Sequence, residues 1–67
     1  MSKIIACFSN VQGYKEAQQV LAELNELKSR DSIFDLYNNV GDCYTIRGSV
    51  SEEDWDRLDL QSDFMEI

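Results

Sequence analysis

The residues with the most chemistry in this chain are carboxylates, and they crowd its end. Glu52, Glu53, Asp54, Asp56, Asp59, Asp63 and Glu66 stand against a single base, Arg57, over residues 52–67. That stretch carries −6 of a formal net charge of −7. Before it, Lys3, Lys15, Lys28, Arg30 and Arg47 nearly balance the acids. Paired carboxylates can run glycoside hydrolysis, but 67 residues leave little room for a substrate cleft. Asp54-x-Asp56 with Asp59 and Asp63 lacks the glycine and the spacing of a calcium loop. Docking on a basic protein needs no catalysis and suits an acidic surface.

Other chemistry is scarce. There is no histidine, so a Cys–His or Ser–His nucleophile pair cannot be assembled. Gly13, Gly41 and Gly48 are too scattered to form a phosphate loop. Cys7 and Cys43 lie in apolar segments and read as free thiols of a reducing cytoplasm. A zinc site would have to recruit carboxylates around them. The expectation is a non-enzyme with no metal and no cofactor. The charge disfavours direct binding to nucleic acid or to an anionic membrane. No apolar run approaches the roughly 18 residues of a membrane helix. The few apolar residues after Met1-Ser2-Lys3 are too short a run for a secretory leader.

The elements that must position the carboxylates follow from periodicity. Residues 3–9 are apolar on both alternating faces, Ile4, Ala6 and Phe8 on one and Ile5 and Cys7 on the other. That predicts a central strand, ended by a break between Asn10 and Gly13. Over 14–28, Tyr14, Ala17, Val20, Leu21, Leu24 and Leu27 draw one apolar stripe on a helix that lies on a sheet. Residues 32–38 predict a second strand, and Asn38-Asn39-Val40-Gly41-Asp42 a hairpin turn. Residues 43–50 alternate, with Tyr44, Ile46 and Val50 one way and Cys43, Thr45, Arg47 and Ser49 the other. Ser51 fits an N-cap, Asp54 completes a variant capping box, and Val50 and Trp55 are spaced for a hydrophobic staple. A short helix over 52–60 burying Trp55 and Leu58 follows, then a final strand over 63–67.

Strand, helix, strand, strand, helix, strand is the βαββαβ pattern of ferredoxin-like domains. The expectation is one small α+β domain over residues 1–67, an antiparallel sheet with two helices on one face. Without pairing of 63–67 it reduces to a three-stranded βαββα fold. The other sheet face is left open, and alternation places Thr45 and Arg47 on it, beside Ile5 and Cys7. Several RNA-binding domains use this face, but the aromatic pair and basic surround they need are missing.

The function expected is a non-catalytic binding module, a small acidic inhibitor or adaptor. Glu52, Glu53, Asp56, Asp59 and Asp63 would dock on a basic, nucleic-acid-binding surface of a larger protein. Phage-type anti-defence proteins and DNA mimics offer an analogy of size and charge alone. Two other classes stay open. One is a self-associating structural or regulatory domain, a homodimer through Ile5, Cys7, Thr45 and Arg47. The other is a nucleotide binder whose pocket lies at a dimer interface, with Arg47, Arg30 or Lys3 on the phosphate. The plainest reading of the acidic stretch is a solvated helix face that the helix dipole favours.

Overall fold

The computed structural model describes residues 3–67; the expectation drawn from Met1 and Ser2 lies outside them. β1 (Ile4–Gln12) and β3 (Cys43–Ser51) pair antiparallel along their full length, from Ile4 opposite Ser51 to Gln12 opposite Cys43. β2 (Ile33–Asn38) flanks β3, and β4 (Met65–Glu66) flanks β1. The order β2-β3-β1-β4, with every neighbour antiparallel, is that of a ferredoxin-like βαββαβ sheet. α1 (Tyr14–Leu27) and α2 (Glu52–Arg57) cover one face, and a 3-10 turn (Leu60–Ser62) leads into β4. No helix among the described residues is long and apolar enough to cross a membrane.

The core lies between that face and the helices. β1 contributes Ile5 and Cys7, β2 Phe34, and β3 Ile46 and Val50. Leu24 of α1 closes over them, with Val20, Leu21, Trp55 and Leu58 partly buried around it. Gly13 has φ 93, a region glycine enters at no steric cost, and it turns β1 directly into α1. Its amide donates to the Asp42 carbonyl at 2.7 Å, pinning the junction to the β2–β3 turn.

One row across the sheet explains how the end of the chain is held. Phe34, Gly48 and Cys7 are neighbours on β2, β3 and β1. Gly48 and Cys7 are small, so Phe34 and Phe64 meet above them, ring centroids 6.1 Å apart. A Cβ on Gly48 would sit 2.9 Å from Phe34 Cε1 and 3.1 Å from Cys7 Sγ. Space, rather than backbone conformation, demands glycine at this position.

Three boundaries differ from the periodicity reading by more than one residue. β1 runs on to Gln12 because Asn10 does not break it: its Oδ1 accepts from Thr45 Oγ1 at 2.7 Å across the ladder. α2 ends at Arg57, not at residue 60. Leu58 and Leu60 are two residues apart and would face opposite ways on a continuous helix. The chain instead passes through Asp59 at φ 52, and Leu60 turns inward to 3% exposure. The final strand is only Met65–Glu66, extended by the Ile67 amide donating to the Ala6 carbonyl at 2.8 Å.

Gly48→Ala is expected to cost about 2 kcal/mol through overpacking, read as a lower urea midpoint. An unchanged midpoint would mean that the two rings yield freely.

Candidate protein-binding surface

One carboxylate of the acidic stretch is not surface at all. Asp54 is 1% exposed. Its Oδ2 accepts from the Ser29 amide at 2.9 Å, the Ser29 hydroxyl at 2.8 Å and the Ser32 hydroxyl at 2.5 Å. Its Oδ1 accepts from Arg57 Nη2 at 2.8 Å. The capping box is present in altered form. Ser51 Oγ accepts from the Asp54 amide at 3.2 Å, as an N-cap should. In the usual box the third helical residue is a glutamate or glutamine that reaches back to the cap's own amide. Aspartate is one methylene shorter, and the buried Ser32 hydroxyl spans the gap. Ser32 Oγ accepts from the Ser51 amide at 3.1 Å and donates to Asp54.

Arg57 extends the strap. Its Nη2 also donates to the Leu27 carbonyl at 2.6 Å, at the C-terminus of α1, where unpaired carbonyls and the helix dipole favour a cation. The start of α2 is thereby tied to the end of α1 and to the loop that leads into β2. Burial opposes the charge on Asp54, but hydrogen bonds from Ser32, Arg57 and Ser29 outweigh it and hold the carboxyl well below the usual carboxylate range. A folded pKa below the unfolded one adds stability above the unfolded value of about 4, and that contribution is lost as pH falls below it.

The remaining acids face outward. Glu52, Glu53 and Asp56 are exposed on α2. Asp59 is exposed at the turn, where its Oδ2 accepts from Ser62 Oγ at 2.9 Å, and Asp63 is exposed beyond the 3-10 turn. They form a bent surface over three short segments rather than a ridge along one helix. Among the described residues, the ion pair found is Arg57–Asp54. The base of this quarter is thus spent on the buried acid, and the six outward carboxylates, Glu66 among them, keep no ion-pair partner among the described residues. No family model, curated protein or solved structure matches this chain.

The residues expected to mediate self-association divide between the two faces. Thr45 and Arg47 lie on the open face, but Ile5 and Cys7 are core residues, 6% and 0% exposed. Ile5 is opposite Val50 and Cys7 opposite Gly48, so they share the helix-covered side. β1 is apolar on both faces, and alternation alone did not say which one the helices take. The open face of β1 shows Ile4, Ala6, Phe8 and Asn10 instead, with Phe8 directly opposite Arg47. Burial pushes the Cys7 thiol up, against a bond to the Gly48 carbonyl, and keeps it protonated. Arg47 stacks over the Tyr37 ring at 5.7 Å and lies opposite Asp35. It stands mid-sheet, whereas the Lys3 carbonyl meets the start of α2.

Asp54→Asn should destabilise the fold by about 3 kcal/mol at neutral pH, the scale of breaking a buried charged pair. It should also flatten the loss of stability on acidification below about pH 4. Urea denaturation at several pH values measures both, and parallel pH profiles for the two proteins would contradict the assignment.

Proposed function

We propose that this chain is a non-catalytic, cytoplasmic binding protein, an inhibitor or adaptor that docks through its C-terminal acidic surface on a basic surface of a larger protein. The observation that carries the reading is that Arg57, though its side chain is 53% exposed, spends its hydrogen bonds on the buried acid and the end of α1. It binds Asp54 and the Leu27 carbonyl, so Glu52, Glu53, Asp56, Asp59 and Asp63 face solvent uncompensated by ion pairs among the described residues. The Asp54 network supports their presentation from an ordered scaffold, which reduces the entropy lost on binding. A basic groove built to hold phosphates is the complementary surface. The free thiols of the buried Cys7 and the exposed Cys43 accord with a reducing compartment.

A second reading has its own observation. Ile4, Ile33, Met65 and Ile67 are 52%, 59%, 66% and 67% exposed, and the register places all four on the open sheet face. An apolar face of this kind suits self-association. The two readings differ in the sign of their salt dependence. Acidic docking weakens as salt screens it. Apolar association between copies of charge −7 strengthens.

Capture from a host lysate, with the bound protein identified and then titrated in pure form, tests the first reading. Binding should fall steeply with salt and vanish in the triple variant Glu53→Lys, Asp56→Lys, Asp59→Lys, whose circular dichroism should match the wild type. A triple variant that binds normally sinks the proposal. Sedimentation tests the second reading: association that grows with salt is expected, and a strict monomer at high concentration removes it.

A further inference from the structure

We propose that the free edge of β1 at Asn10–Gln12, with the groove beside it, receives an extended segment of a partner protein as an added β-strand, the segment carrying alternating apolar residues flanked by lysine or arginine. The inference rests on the acidic-docking reading and names the kind of segment that docks.

The backbone supplies the first argument. The Ala6 carbonyl accepts from the Ile67 amide, so Ala6 directs its polar groups toward β4. In an antiparallel ladder this direction alternates, so Phe8, Asn10 and Gln12 point the same way. Met65 is opposite Phe8, and β4 begins there. Beyond Phe8 the lane holds no strand among the described residues. The amides and carbonyls of Asn10 and Gln12 thus lie on an open edge, the surface that strand addition uses.

The groove supplies the second. A cleft of about 700 Å³ runs alongside that edge, between α1 and the segment that leads to β4. Val11, Val20, Leu24, Leu27, Leu60 and Phe64 line it. An added strand would send every second side chain toward this apolar lining. Leu27, 56% exposed at the end of the helix stripe, is left for such a contact to cover.

Charge chooses the occupant. Glu16, Glu23 and Asp63 also line the cleft, and no lysine or arginine does. A second copy would bring identical acidic rims together, whereas a segment with basic flanks meets them favourably. The outer edge of β2 is also unpaired on one side, but the cleft is at β1.

The test is amide hydrogen exchange by NMR on the intact chain with a defined probe, the peptide acetyl-Lys-Lys-Val-Thr-Val-Thr-Val-Lys-Lys-amide. Its counterpart with glutamate in place of lysine is the control. The lysine peptide should slow exchange of the Asn10 and Gln12 amides on the order of tenfold, and the glutamate peptide should not. The double variant Glu16→Lys, Glu23→Lys, on the exposed face of α1, should lose the effect. Gln12→Pro, which removes an edge donor, should lose protection at Asn10. Protection along β2, or shifts confined to Glu53, Asp56 and Asp59, would overturn the strand-addition site and leave the acidic-docking reading standing. Protection at Asn10 and Gln12 without peptide, rising with protein concentration, would make a second copy the occupant and overturn it too. Failure of the docking reading itself is seen separately, in normal capture by the variant reversed at residues 53, 56 and 59.

Discussion

The structure depends on one buried carboxylate. Asp54 collects donors from Ser29, Ser32 and Arg57, and through them ties the start of α2 to the end of α1 and to the loop leading into β2. A lone charge at 1% exposure would be strongly unfavourable, so the site exists only because every side of it is answered. The consequence reaches the surface. Because Arg57 is drawn to Asp54 and to the end of α1, it does not neutralise its acidic neighbours. The same contact orders the last quarter of the chain and leaves it negatively charged.

A second constraint closes the other end of that quarter. Gly48 leaves room for Phe34 to meet Phe64, which anchors the segment between the 3-10 turn and β4. With α2 held at its start and Phe64 held near its finish, Asp59 and Asp63 lie on a stretch fixed at both ends. A chain this short buries a modest fraction of its surface, so two such anchors matter more than they would in a larger domain. β4 is nonetheless brief, and its brevity leaves the far half of the β1 edge open beside the cleft.

Much of this was legible in the sequence, and the misses have physical causes. The stripe from Tyr14 to Leu27, the alternation from Cys43 to Val50 and the Ser51 cap identify their elements because each is a local pattern. Their order gave the sheet topology, including the central places of β1 and β3. The face taken by Ile5 and Cys7 was not local information. β1 is apolar on both sides, and only its register against β3 decides which side the helices cover. The end of α2 was missed because Asp59 carries no glycine-like signal for a left-handed turn; the spacing of Leu58 and Leu60 held that information. The outward acids were found by counting charge. Ser29 and Ser32 were not, because partners of a buried carboxylate lie more than twenty residues away in sequence.

Asp54 stays ionised inside the fold and so holds the acidic surface in place. The most direct measurement is a carbon-detected NMR titration of the Asp54 side-chain carboxyl from neutral to strongly acidic pH, with backbone shifts reporting the fold. This carboxyl is expected to show no titration through the ordinary aspartate range while the fold persists, and to change only as the domain unfolds. A normal aspartate titration with the native backbone spectrum intact would show that neither the fold nor its outward acids rely on that charge.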